Sequence, residues 1–190
     1  AGKLLHSKEL AIVYYLNAIR TGIGSTVLEY DEDAFNVAQH MSTYTAYRYE
    51  HLGLEMEHVP PKIDGLSDEY YNIAVNNVKG YSENLARLSL QTTPKAMKIH
   101  INEVISDNAE TPQVFSHRLR TLDPKYSRVG FGITSIFSAH EFGGTQDSDL
   151  EINAWPGNGI TALEALDSSA FNPPLVWTVQ FLKDYKVQTN

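Results

Sequence analysis

The chain has 190 residues, 42% hydrophobic and 20% charged, and its 15 basic against 23 acidic residues give a net charge of −8. A length of this order suits one domain and buries about 70% of the unfolded surface, enough to fold without staples. The acidic balance argues against nucleic acid and anionic membrane as main partners, and the absence of cysteine removes disulfides, thiol catalysis and thiolate metal sites together.

In chain order, the opening "AGKLLHSKEL" has no apolar core of a signal peptide, so any export signal is expected to have been removed. No run reaches the ~18 apolar residues that a membrane span needs. Residues 7–21 predict a helix: Ile12, Leu16 and Ile19 recur at i, i+4, i+7, Ser7 can cap the start and Gly22 can end it. Residues 25–30, "STVLEY", read as a short strand or extended segment. A second helix starts at Asp31, whose side chain can accept from orphan N–H groups, and its apolar face is Ala34, Val37, Ala38, Met41 and Thr45. Residues 52–82, with two prolines, a glycine and several acids, predict a long surface loop.

Residues 92–107 are helical in pattern, with Thr93 as cap, Pro94 at the first helical position, and Met97, Ile101 and Val104 as the inner stripe. Thr111-Pro112 opens a short helix that Asp123-Pro124 stops near Leu122. From Arg128 the pattern changes to strands, "RVGFGITSIFSAHEF" and "LVWTVQFLK", with "AWPGNG" as a turn between them. Helices first and strands last predict an α+β fold. No internal repeat appears.

The sequence has no P-loop, no HExxH and no GxSxG. Gly130-Phe131-Gly132 lacks a third glycine and a following helix, so the pair is read as letting a strand pass close to a neighbouring backbone. Ser116 and His117 are adjacent on a helix and point about 100° apart, so they form no dyad. What remains is histidine and glutamate. His6, His58 and His140 stand in polar or terminal settings and are expected to face solvent; His40 and His100 lie on helices and are expected to be half-buried. His51 follows the second helix and His117 sits in the last one. Glu83 lies in "YSENLA" and Glu103 on the third helix, off its apolar stripe. Taken alone, each has an ordinary surface reading.

Four stretches in order change that weight. "LNAIRTGIGSTVLEYDEDAFNVAQHM", "YSENLA", "HINEVISD" and "SHRLRTLDPKYSRVGFG" resemble segments of the CAP superfamily: cysteine-rich secretory proteins, antigen 5, plant pathogenesis-related class 1 proteins and their bacterial relatives. The resemblance runs from about residue 8 to 137, with residues 150–190 similar to a C-terminal extension of some bacterial members, and it makes residues 1–190 one such domain. It implies an α-β-α sandwich, a small antiparallel sheet between helix layers, and an extracellular or cell-surface location. It also implies a central cleft of two histidines and two glutamates, here His51, Glu83, Glu103 and His117. Such a set can ligate Zn²⁺ or a similar divalent ion. Ser82 departs from the family's glycine before Glu83, and the step from Gln39 to His51 is a residue or two short, which leaves His40 as the alternative first histidine.

Three functions follow from this resemblance. The leading one is a non-enzymatic binding module for a lipid or sterol, a peptide or a cell-surface component, with a divalent metal in its cleft. The second is a metal-dependent hydrolase of peptides or esters, with Glu83 or Glu103 as general base. In the third, the four residues are a structural polar cluster and the 52–82 loop binds the partner. Arg118 and Arg120 are read as helix-surface and packing residues.

Overall fold

The structure, a computed structural model, describes residues 2, 4–87, 96–97, 100–101, 116–157 and 177–183. Helix α1 spans His6–Gly22 and helix α2 spans Glu32–Leu52. Asp31 caps α2 by accepting from the Ala34 N–H at 3.0 Å, with Glu32 and Asp33 favourably placed in the first turn. The strand expected over 25–30 narrows to β1, Glu29–Tyr30. Residues 24–28 are pinned instead by side chains of α1. Asn17 brackets Leu28, donating to its carbonyl at 2.8 Å and accepting from its N–H at 2.7 Å. Buried Arg20 donates to the carbonyls of Thr26, Thr121 and Asp123 at 2.7, 2.8 and 3.0 Å. Burial pulls its pKa down to about 10.

The 52–82 stretch is more ordered than its composition predicts. It holds α3 (Asp68–Tyr71), a π-helical turn over Asn72–Asn76 and a 3₁₀ turn over Asn77–Gly80. "YSENLA" is strand: β2 covers Ser82–Arg87. Helix α4 covers Ser116–Leu122. Strands β3 (Arg128–Ile133) and β4 (Phe137–Gly143) form a hairpin, and β5 (Ile152–Trp155) and β6 (Thr178–Phe181) a separate pair. The expected turn at "AWPGNG" therefore begins inside β5. Of the expected third helix, residues 96–97 and 100–101 are helical; Thr93, Pro94, Glu103, Val104, Thr111 and Pro112 lie outside the described residues.

The main sheet has the order β1-β3-β4-β2. Since β1 pairs with β3 in parallel while the other pairings are antiparallel, the sheet is mixed rather than wholly antiparallel. The class is α+β. Helix α2 covers one face, and α1 with Met97 and Ala96 packs the other through Ile12, Leu16, Val129, Phe131 and Phe142. Every residue of β4 is buried, as a strand covered on both faces must be.

The approach of α2 is set by glycine. A Cβ on Gly130 would lie 2.0 Å from the Ala34 carbonyl carbon, and one on Gly132 would lie 2.1 Å from the Ala38 oxygen. Two glycines at i, i+2 on the strand thus meet two alanines at i, i+4 on the helix, and backbone rests on backbone. The close-approach reading of Gly130-Phe131-Gly132 is borne out.

Candidate functional site

Strand pairing decides which polar groups meet. Glu83 lies opposite Glu141, which lies opposite Gly130; Asn84 lies opposite His140, which lies opposite Phe131. Since side chains alternate along a strand, both glutamates share the α2 face with Gly130, while Asn84 and His140 share the other.

On the α2 face Glu141 is fully buried and Glu83 nearly so. Burial first, and then the charge of the neighbouring Glu83, lift the Glu141 carboxyl well above its usual range. A buried carboxyl beside a second acid is held toward its neutral form, and that is the direction in which Glu141 is pushed. Above them, the His58 ring meets Glu83 Oε1 through Nδ1 at 2.6 Å. The His58 side chain is 58% exposed against 3% for Glu83, which makes it the solvent-side cover of the acid pair. The remaining Glu83 oxygen, Oε2, has no hydrogen-bond partner among the described residues. At the sheet edge Arg120 donates to the Glu83 carbonyl at 2.7 Å and to Asn84 Oδ1 at 2.8 Å. Asn84 in turn donates to the His117 carbonyl at 3.0 Å and Thr121 Oγ1 at 3.1 Å. Helix α4 is therefore tied to β2 through its backbone and Arg120.

On the opposite face three imidazoles pack together. His100 lies 4.0 Å from His140 and 5.2 Å from His117, centroid to centroid, and its Nε2 meets Ser138 Oγ at 2.7 Å. Burial first, and then the neighbouring histidines, hold His100 and His140 well below the usual imidazole range, so both are neutral.

Among the described residues, His51 does not join Glu83 as the sequence suggests. His51 is exposed on the last turn of α2, its ring 4.7 Å from Tyr47, and the histidine on Glu83 is His58. The physical reason lies in the helix end. Gly53 terminates α2 at φ 64°, and buried Arg48 then holds the departing segment through the Glu55 carbonyl at 3.5 Å and the Glu57 carboxylate at 3.3 Å. That path carries His58, not His51, to β2. His40, the alternative, contacts the Asn36 carbonyl at 2.8 Å and Tyr70. His117 is buried in the imidazole cluster, and Glu103 lies outside the described residues.

His140, expected to face solvent, is fully buried, as is His100; His6 does face solvent. Arg118 is buried rather than on a helix surface: it donates to the Ile101 carbonyl at 2.6 Å, and burial lowers its pKa to about 10. Glu141 went unread because β4, buried on both faces, shows no alternation to mark it.

In donor chemistry, His58, Glu83 and Glu141 suit a divalent cation, with one borderline nitrogen and buried carboxylate oxygens lacking partners. As they stand, no three such groups among the described residues surround a common point. No helix among the described residues is long and apolar enough to cross a membrane.

No family model and no curated protein matches the sequence. Among solved structures, the chain is similar to an extracellular protein containing an SCP domain from Bacillus anthracis, with 19% identity and a TM-score of 0.48 over 75% of this chain. The match spans 44% of that chain, less than half its length.

Proposed function

We propose that this chain is a CAP-type extracellular binding module whose cleft is the acid pair under His58, and that this cleft takes a divalent metal. The observation that carries the reading is the 2.6 Å contact of half-exposed His58 with buried Glu83, with Glu141 behind it. The four resembling stretches support it from the sequence. His58 replaces His51 as the first histidine of the set, Glu83 keeps its place, and Glu141 is added to the available donors. Glu103 and His117 remain candidates to complete the shell.

Glu83 and Glu141 would hold a divalent ion through their carboxylates, and the ion would supply positive charge that offsets the cost of burying them. His58 would offer a neutral ring nitrogen from the solvent side, and Arg120 fixes the backbone from which Glu83 projects. The hydrolytic alternative needs Glu83 or Glu103 free to act as base; the Oε1 oxygen of Glu83 is held by His58, which favours binding over turnover.

Calorimetric titration of Zn²⁺ and Mn²⁺ tests the reading. Wild type and His51→Ala are expected to bind alike, whereas His58→Ala and Glu83→Gln lose about tenfold or more in affinity. Affinity also falls as pH drops below about 6, where free histidine protonates. Equal binding by wild type, His58→Ala and Glu83→Gln overturns the assignment.

A further inference from the structure

A second candidate site lies away from the acid pair and does not depend on it. Between the outer side of α2 and the 60–71 segment runs an open groove of about 460 Å³, lined by Thr43, Tyr44, Tyr47, Asp64, Leu66 and Tyr70 among others. Tyr44 is its buried floor, and Tyr47, 47% exposed, presents its ring to solvent. Along α2 the positions 40, 44, 47 and 51 step by i, i+4, i+7 and i+11, so four aromatic rings share one side of the helix. Tyr70 closes one end against His40 at 4.8 Å, and His51 extends the Tyr47 platform at the other.

Two tyrosines at and beside the groove already meet prolyl carbonyls. Tyr44 donates its hydroxyl to the Pro61 carbonyl at 2.7 Å, and Tyr71 donates to the Pro60 carbonyl at 2.9 Å. The chain's own diproline is thus held by two tyrosine hydroxyls, a contact of the kind aromatic grooves make with proline-rich ligands. Prolyl carbonyls are free to accept because that helix makes no internal hydrogen bonds. The groove continues beyond this contact with a carboxylate at its rim. Asp64 sits in a turn closed by the Leu66 N–H on the Ile63 carbonyl at 3.3 Å, with Gly65 at φ 82° as the turn requires. Asp64 is exposed and makes no ion pair among the described residues, since the loop's own Lys62 is taken by Asp68.

We propose that this groove binds a proline-rich extended segment of a partner protein that carries an arginine or lysine. Prolines lie across Tyr47 and Tyr70, and the cation meets Asp64. Ring faces favour such a ligand because it is ordered before it binds, so little conformational entropy is lost. The unpaired carboxylate on a chain of net charge −8 selects the cationic version.

The probe is a synthetic peptide of about eight residues, proline-rich with one arginine, long enough at ~3.1 Å per residue to span the groove. Titration by calorimetry and amide chemical shifts is expected to show saturable binding to the whole chain, with shifts at Thr43, Tyr47 and Asp64. Tyr47→Ala and Asp64→Asn are each expected to weaken it about tenfold. Tyr14→Ala, which removes another exposed tyrosine from α1, leaves it unchanged. Added salt or an arginine-to-glutamate peptide weakens binding to wild type more than to Asp64→Asn. Absence of saturable binding to wild type overturns the proposal, as does equal affinity in Tyr47→Ala. A neutral oligosaccharide that binds the groove where the peptide does not also overturns it.

Discussion

On the α2 face of the sheet, burial pushes the Glu141 carboxyl up beside Glu83, and His58 covers the pair from solvent. On the other face burial pushes His100 and His140 down, sealed between the sheet and the helices with His117. The clusters sit on adjacent residue pairs of β2 and β4, Glu83–Glu141 and Asn84–His140, so alternation along the strands sends the two acids one way and His140 the other. Burial disfavours the charge in each case, and only the acid face reaches water. The difference teaches that access, not residue type, separates a candidate site from a polar piece of core.

The largest effect comes from breaking the α2 face itself. Gly130→Ala drives a Cβ into the Ala34 backbone, which has no side chain to yield. It is expected to cost about 3 kcal/mol or more, seen as a collapse of the urea midpoint; a stable Gly130→Ala protein would mean that α2 does not rest on β3. Next come the buried titratable groups, which lean in opposite directions. Glu141, raised from its ordinary 4.5, is stable while protonated and costs stability as pH rises above that value. Glu141→Gln keeps the shape without the cost, so it gains on the order of 1–3 kcal/mol over wild type at pH 7.5 and gains little at pH 4.

His140, lowered from 6.5, stabilises the fold at neutral pH and loses that contribution as pH falls below 6.5. His140→Leu is therefore expected to flatten the acid side of the stability profile, by on the order of 1–2 kcal/mol at pH 5. Parallel pH profiles for wild type and the two variants would abolish the contrast between the faces. The smallest effect is that of His58→Ala. Since its ring is half-exposed, the contact contributes about 0–1 kcal/mol, and urea denaturation should barely register the change while metal titration does.

How much was legible follows the same division. Helix α2 was readable because its apolar face repeats with the helical period and Asp31 caps it. The Gly130 and Gly132 contact was readable because two glycines at i, i+2 in a strand have few other uses. His58 was not, because its position depends on Arg48 reaching from a buried site to Glu55 and Glu57, a tertiary choice that no local pattern carries. Glu141 and His140 were hidden for a different reason. A strand buried on both faces looks uniformly apolar or uniformly ambiguous, and "FSAHEF" shows no alternation that would place one side chain in a cleft and the next in a core. The tyrosines of the groove were each visible, but their common side of α2 means something only once the 60–71 segment is seen to wall it.

The glycine–alanine contact also limits how α2 can move. A helix resting on side chains can roll or slide by trading rotamers; one resting on peptide groups has no such bearing. The acid pair lies beneath this helix and the tyrosine groove along its outer side, so neither can be reshaped by turning it. Change at either place has to come from the segments on the flanks, His58 and its extended approach on one side and the Asp64 turn on the other. The helix is the fixed jaw, and the loop between residues 53 and 67 carries both movable ones.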